Sequence, residues 1–113
     1  MHELSIVNSL IELCEENAKN NNANIIKEVH VKIGRLSGVE VELFKRTFDT
    51  FKEDSLCKNS TLLVHLQDVI IKCQECQSQD VLKENIFICP KCGSKDLKII
   101  DGEELYLMRL VME

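Results

Sequence analysis

The sequence predicts an α+β fold in which two helices lie on a three-stranded sheet, with an inserted zinc-ribbon domain. Two observations predict the base: apolar residues recur at helical spacing in two segments and alternate with polar residues in three others. A third observation predicts the insertion, because four cysteines form two closely spaced pairs before the last strand. We therefore expect residues 1–71 plus 102–113 to form the base domain and residues 72–101 to form the ribbon.

Two segments have the apolar periodicity of amphipathic helices. The first runs from residue 4 to about residue 20 and ends in a run of asparagines. Its predicted buried stripe consists of Val7, Leu10, Ile11, Cys14 and Ala18. The second helix is predicted after Ser37 and Glu40, whose spacing is that of a capping box. Its predicted buried stripe consists of Leu43, Phe44, Phe48 and Phe51.

Three segments alternate polar and apolar residues as half-buried strands do. The first covers residues 28–33 and ends at Gly34, the second covers residues 62–71 and continues into Cys73, and the third covers residues 105–112. The second and third strands flank the cysteine pairs. We therefore expect the ribbon at the end of a long hairpin, joined to the base through residues 70–72 and 99–103.

The cysteine pairs are the most specific motif of the chain. Cys73-Gln-Glu-Cys76 and Cys89-Pro-Lys-Cys92 are separated by twelve residues. Two such knuckles can direct four thiolates at one tetrahedral Zn²⁺ ion. Gly93 follows the second knuckle and tolerates the positive φ that turns backbone N–H groups toward the sulfurs. The spacing predicts a structural zinc site with Cys73, Cys76, Cys89 and Cys92 as its ligands.

Other uses of these cysteines fit the sequence less well. Disulfides are not expected, because the sequence starts at Met1 without an apolar signal segment, which indicates a reducing, cytoplasmic location. A thiol-redox site needs one exposed Cys-x-x-Cys at a helix start, not a matched pair in a polar stretch. Iron in a rubredoxin-like site stays open, since tetrahedral sulfur suits either metal, although the low aromatic content favours zinc.

Charge argues against nucleic acid as a partner. The net charge is −5, and residues 70–101 contain five lysines against five acidic residues, so the predicted ribbon has no basic face. An apolar run of about 18 residues, as a membrane helix needs, is absent from the sequence. A thiol oxidoreductase would need unligated, reactive thiols. A nucleic-acid-binding or protein-binding zinc-ribbon module remains the alternative function.

Four further cysteine and histidine positions are possible metal ligands. Cys57 lies in a polar stretch and is expected to be a small, partly buried hydrophobe. His30 and His65 lie on the polar phase of their strands, which predicts solvated side chains. His2 differs from them because of its position beside the chain terminus.

The first two residues can form a chelate by their covalent order alone. The amine of Met1, the amide nitrogen of His2 and its imidazole Nδ1 would close fused five- and six-membered rings around one ion. Three nitrogens in a plane suit Ni(II) or Cu(II). A bulky second residue also favours retention of Met1. The fourth donor could be the amide or the carboxylate of Glu3, or a group from a partner.

Taken together, these motifs resemble the HypA/HybF family of hydrogenase-maturation nickel metallochaperones. The resemblance consists of the Met-His-Glu-Leu-Ser start, Lys-Ile-Gly at the end of the following strand, and two late Cys-x-x-Cys knuckles, and it covers essentially the whole chain. It implies that His2 is a nickel ligand with Glu3 as its acidic neighbour, and that the four cysteines hold structural zinc. It also matches an acidic position before the second helix with Glu40, whose part in the nickel site stays open.

The resemblance further implies a carrier that is not an enzyme. Such a protein takes up Ni(II), docks with the GTPase HypB and with the hydrogenase large-subunit precursor, and releases the ion into the [NiFe] centre. Some members of the family also serve urease, which adds urease accessory proteins to the expected partners. A monomer or weak homodimer is expected.

Overall fold

The computed structural model describes residues 3–84 and 86–113. The elements in chain order are α1 (Glu3–Asn20), β1 (Ile26–Gly34), α2 (Val41–Phe51), β2 (Thr61–Gln67), β3 (Val69–Cys73), β4 (Gln79–Leu82), β5 (Leu97–Asp101) and β6 (Leu105–Met112). They form two three-stranded sheets, which we call the base sheet (order β2-β1-β6) and the ribbon sheet (order β4-β3-β5). No helix in the described ranges is both long and apolar enough to cross a membrane.

Helix α1 has the predicted extent and buried face. The residues expected on its apolar stripe are all buried. The helix ends in the asparagine run because Asn22 adopts a left-handed φ of 53°. This conformation lets the N–H of Ala23 donate to Ala18 O at 2.8 Å and the N–H of Asn22 donate to Lys19 O at 3.2 Å, the two bonds of a Schellman cap.

The base sheet has β1 at its centre. Strand β1 pairs in parallel with β2 and antiparallel with β6, and α2 lies in the connection between the parallel strands. Val29, Val31 and Ile33 of β1 face the helices and share one core with Phe44 and Phe48 of α2. The prediction of two helices on a three-stranded sheet is therefore confirmed. The expected long hairpin is wrong, because β2 and β6 are separated by β1.

The second predicted strand is two strands. Residues 62–71 divide at Asp68 into β2 of the base sheet and β3 of the ribbon sheet. The apolar phase changes at this point: Leu62 and Val64 pack against the base core, whereas Val69 and Ile71 are buried in the ribbon core. Because side chains alternate along a strand, this shift from even to odd positions requires a change of face.

The predicted start and stripe of α2 also differ from the structure. Glu40 is itself the N-cap and makes no side-chain capping bond. Ser37 Oγ instead accepts a hydrogen bond from the N–H of Val39 at 3.2 Å, which makes a local turn. Phe44 and Phe48 are buried as predicted, but Leu43 and Phe51 are exposed because they lie at the sides of the narrow buried face.

The two sheets are joined where β1 ends and β6 begins. The N–H of Leu36 donates to Gly102 O at 2.8 Å, and the N–H of Gly34 donates to Glu104 O at 2.8 Å. Lys32 Nζ lies 2.9 Å from Asp101 Oδ2. Lys32 and the N–H of Gly102 lower the pKa of the Asp101 carboxyl. Backbone bonds and one ion pair therefore connect the ribbon sheet to the base sheet.

The Arg35 side chain adds a further connection. Its guanidinium donates to Lys83 O at 3.0 Å and to Leu82 O, both at the end of β4. Its Nε also lies 3.8 Å from the carboxylate of Asp68. One residue that follows β1 therefore contacts the ribbon sheet and the segment where the chain passes from one sheet to the other.

Candidate metal centre

The two cysteine knuckles have the same backbone design. In the first, the N–H of Cys73 donates to Ser78 O at 2.9 Å and the N–H of Gln77 donates to Cys73 O at 3.0 Å. In the second, the N–H of Cys89 donates to Ser94 O at 2.8 Å and the N–H of Gly93 donates to Cys89 O at 2.9 Å. The residues after the second cysteine of each pair, Gln77 and Gly93, have positive φ values of 62° and 76°. The same turn is thus built twice, once with glycine and once with glutamine.

The fold brings the four predicted ligands together. Their Sγ atoms all lie within 4.8 Å of one another. Cys73 Sγ is 3.5 Å from Cys92 Sγ, and Cys76 Sγ is 3.7 Å from Cys89 Sγ. Sulfurs at the corners of a tetrahedral Zn–S shell with bonds of about 2.3 Å lie about 3.8 Å apart. The cluster therefore has the dimensions of a four-thiolate zinc site.

The thiols of the cluster are unequal in acidity. Backbone N–H groups of Cys92 and Lys91 lower the pKa of Cys89 to about 6, against the effect of burial. The hydroxyl of Ser78, 3.0 Å from Cys76 Sγ, is the main cause that lowers the pKa of Cys76. Hydrogen bonds that favour a thiolate also favour metal binding, because a metal must displace the thiol protons.

Ser78 was missed by the sequence interpretation. Its hydroxyl lies 3.0 Å from Cys76 Sγ and 3.7 Å from Cys89 Sγ, so it contacts one sulfur of each knuckle. The sequence carries a signal for it, since serine follows two residues after the second cysteine in both knuckles, at Ser78 and Ser94. Hydroxyl and amide donors around a thiolate site orient the ligands and compensate their negative charge.

The predicted nickel chelate falls at the edge of the described chain. Met1 and His2 lie outside the described residues. Glu3, the third predicted residue of that site, lies in the first turn of α1. Ser5 and Ile6, close to the start of α1, line a groove with Leu105 and Tyr106 at the start of β6. Helix α1 therefore begins on the side of the base sheet that is close to the junction with the ribbon sheet.

The remaining candidate residues lie away from the four-cysteine cluster. Cys57 is fully buried beside Cys14 in the base core, consistent with its prediction as a hydrophobe. Hydrogen bonding by Cys57 and burial raise the pKa of Cys14 far above its ordinary value. His65 is exposed as predicted. The prediction of a solvated His30 is wrong, because Glu28, His65 and Arg109 contact its ring and leave it 8% exposed.

The fold and the cluster define a class: a small α+β protein that carries a thiolate ribbon fitted to one tetrahedral metal ion. Comparison with known proteins narrows this class. Residues 1–112 match the family model described as HypA, hydrogenase/urease nickel incorporation, metallochaperone. A hydrogenase maturation factor HypA from Campylobacter jejuni is 61% identical over 114 residues, with 100% of both chains covered. A protein of the same name from Shewanella baltica is 49% identical, covering 100% of this chain and 97% of the relative.

A solved structure supports the same assignment. The solution structure of the Ni metallochaperone HypA from Helicobacter pylori superimposes with a TM-score of 0.74 at 41% identity, covering 99% of this chain and 97% of that chain. The protein belongs to the HypA family of hydrogenase maturation factors. Members of this family are metallochaperones and not enzymes, as the sequence predicts.

Proposed function

We propose that this protein carries Ni(II) at its N-terminus and delivers it during maturation of [NiFe]-hydrogenase. The Met1 amine, the His2 amide nitrogen and the His2 imidazole would hold the ion, with Glu3 as a fourth donor. Cys73, Cys76, Cys89 and Cys92 would hold a structural Zn²⁺ ion that does not take part in delivery. Family membership supports the general function, and the residues that carry it are our proposal.

The observation that supports the nickel site is that Glu3 lies in the first turn of α1. Glu3 follows the two residues of the proposed chelate in the sequence and belongs to the first turn of α1. The first N–H groups of a helix have no acceptor within the helix. The Glu3 amide nitrogen, one of the possible fourth donors, can therefore lose its proton to a metal without breaking a helical hydrogen bond. The Glu3 carboxylate in the first turn would also balance the positive end of the helix dipole.

The nickel and zinc sites suit opposite tasks. An open set of nitrogen donors at a chain terminus can exchange its ligands one by one with a partner. Four thiolates from two rigid knuckles enclose their ion, which suits a structural role. We propose the GTPase HypB and the hydrogenase large-subunit precursor as the partners in the exchange. Urease is a second proposed destination, supported by the family description.

The role of His2 as a nickel ligand is tested by nickel titration of the zinc-loaded protein with its native terminus. We expect His2→Ala to abolish tight nickel binding while the zinc content stays at one ion per chain. The stability should change by less than about 0.5 kcal/mol, because residue 2 precedes the buried stripe of α1. Isothermal titration, metal analysis and thermal unfolding measure the three quantities. Unchanged tight nickel binding in His2→Ala would refute the proposed chelate.

The terminal amine is tested by an N-terminal extension. One or two residues before Met1 replace the proposed amine ligand with an amide, so nickel affinity should fall. Nickel must displace protons from an amine with a reference pKa of about 7.7–8.0 and an imidazole with one of about 6.5. Binding to the native terminus should therefore weaken between about pH 7.5 and 6, while zinc stays bound. Equal affinity with and without the extension would exclude the amine as a ligand.

A further inference from the structure

The four sulfurs of the cluster form two similar pairs, each with one cysteine from each knuckle. Cys73 Sγ lies 3.5 Å from Cys92 Sγ, and Cys76 Sγ lies 3.7 Å from Cys89 Sγ. In each pair one cysteine is buried and the other is exposed, and the exposed ones are Cys76 and Cys92. Oxidation of cysteine depends on exposure of the thiolate. A dissolved oxidant therefore has two sulfurs to choose between.

Backbone donors do not distinguish these two exposed sulfurs. The N–H of Ser78 forms a hydrogen bond with Cys76, and the N–H of Ser94 forms one with Cys92. Each donor comes two residues after its cysteine, as expected from the shared design of the two knuckles. Any difference in reactivity must therefore come from side chains or from access.

The side-chain hydroxyls differ between the knuckles. Ser78 Oγ lies 3.0 Å from Cys76 Sγ and 3.7 Å from Cys89 Sγ. Ser94 Oγ instead accepts a hydrogen bond from the N–H of Asp96 at 3.0 Å. Within the part of the chain that the structure describes, the other sulfur pair has no hydroxyl contact. A hydrogen-bond donor makes a thiolate less basic, and a less basic sulfur is a weaker nucleophile.

Access also differs between the knuckles. Gly93 follows Cys92, and a Cβ on this glycine would meet no atom within 4 Å apart from its chain neighbours. At the matching position after Cys76 the chain has Gln77, whose side-chain amide donates to Gln74 O at 2.9 Å. The first knuckle thus carries a side chain where the second has open space.

We propose that Cys92 is the site at which peroxides oxidise the zinc-loaded ribbon, and that Cys73 then forms a disulfide with it. Cys92 is exposed, has no hydroxyl donor among the described residues and lies beside open space. Cys73 lies 3.5 Å from it across the knuckles. This inference rests on the proposed zinc site, because zinc is what keeps all four sulfurs as thiolates.

The chemistry balances with one peroxide molecule. The Cys92 thiolate attacks one peroxide oxygen, the O–O bond breaks, and hydroxide leaves, which produces a sulfenic acid. The Cys73 thiolate then attacks the Cys92 sulfur, the S–O bond breaks, and a second hydroxide leaves as the disulfide forms. Two thiolates lose two electrons, which reduce the peroxide. The remaining two thiolates no longer form a tetrahedral shell, so zinc is released and the ribbon should lose its order.

The experiment treats the zinc-loaded protein with substoichiometric hydrogen peroxide and dimedone, which traps sulfenic acids. Metal analysis before the addition judges the proposed zinc site separately. Trypsin then divides the cysteines among residues 73–83, 84–91 and 92–95, because Lys91 lies between Cys89 and Cys92. We expect the label on residues 92–95. Without dimedone we expect a disulfide between Cys92 and Cys73, with one zinc ion released for each disulfide.

Two serine variants test the cause of the preference. Ser78→Ala removes the hydroxyl and keeps the backbone N–H, so Cys76 should also become labelled. Zinc release should become up to about twofold faster, because two sulfurs then react. Ser94→Ala is the matched control and should change neither the label nor the rate. An unchanged label distribution in Ser78→Ala would exclude the hydroxyl as the cause.

Two results with the parent protein would overturn the proposal. One is as much label on Cys76 as on Cys92, and the other is a disulfide that joins Cys92 to Cys89 and not to Cys73. Both are measured without a substitution, so they decide the proposal even if Ser78→Ala fails to retain zinc. A protein that holds no zinc before peroxide is added would instead refute the proposed zinc site.

Discussion

The base sheet and the ribbon sheet each have three strands, yet they bury very different amounts of apolar surface. Among the residues that the structure describes, twelve buried residues form the base core, including Phe44 and Phe48, whereas the ribbon core contains three, Val69, Ile71 and Leu82. Apolar burial contributes about 25 cal/mol per Å², so three side chains cannot offset the conformational entropy of ordering about thirty residues. The base is therefore stabilised by its core, whereas the ribbon depends on its proposed zinc ligands and on its connections to the base.

Removal of one sulfur should break the ribbon and spare the base. We expect Cys89→Ser to lose zinc and to disorder residues 72–101, while α1, α2 and the base sheet persist. The effect should be the largest of this set, because structural zinc binding supplies about 10–16 kcal/mol in small zinc modules. Metal analysis and amide spectra measure it. Lys91→Ser, an exposed position in the same knuckle, is the matched control, and full zinc retention in Cys89→Ser would exclude the four-thiolate site.

A cavity in the base core should have the opposite effect to Cys89→Ser: it should destabilise the base and leave zinc bound. Phe44→Ala should destabilise the base by about 3–5 kcal/mol, as is usual for buried phenylalanine, while zinc stays bound to the folded protein. Phe51→Ala is the control on the same helix, since its side chain is 47% exposed and should cost much less. Chemical denaturation of the two variants gives the comparison. Equal losses would mean that the narrow buried face of α2 is wrongly assigned.

The junction between the sheets can be tested at one glycine. A Cβ on Gly34 would lie 2.3 Å from the carbonyl carbon and oxygen of Gly102, where the two sheets are joined. Gly34→Ala should therefore force the backbones apart and destabilise the protein by about 1–3 kcal/mol. Amide resonances should shift in both sheets near the junction. An unaltered spectrum with unaltered stability would show that the close approach is not present in solution.

A substitution in the first cysteine knuckle should have a smaller effect, and a stabilising one. Gln77 adopts a left-handed φ of 62° where the other knuckle has Gly93. A non-glycine residue in this region costs about 1–2 kcal/mol, part of which glycine recovers after its own entropy is subtracted. Gln77→Gly should stabilise zinc binding by up to about 1 kcal/mol against a competing chelator. Gln74→Gly, outside the left-handed region, should weaken binding, and weaker binding in Gln77→Gly would contradict the assigned turn.

The parts of the fold that the sequence predicted well depend on neighbours in the chain. Helix α1 followed from its periodicity and its asparagine run. The buried positions of α2 followed in part, with Phe44 and Phe48 correct and Leu43 and Phe51 wrong. The single strand predicted across Asp68 is wrong, because the segments on both sides alternate as strands do and only the change of apolar phase marks the break. The expected capping box failed because Ser37 bonds to Val39 in a turn of its own.

The sequence by itself determined the metal sites whose donor atoms lie close together along the chain. Two residues between paired cysteines fix each knuckle, and the order of Met1 and His2 alone defines the proposed terminal chelate. Tertiary structure decided what depends on distant segments: β1 lies between β2 and β6, Arg35 contacts the end of β4, and His30 meets His65 across 35 positions. Local geometry restricts nearby donors through covalent bonds, whereas strand order and register depend on burial of the whole core, which no short segment specifies.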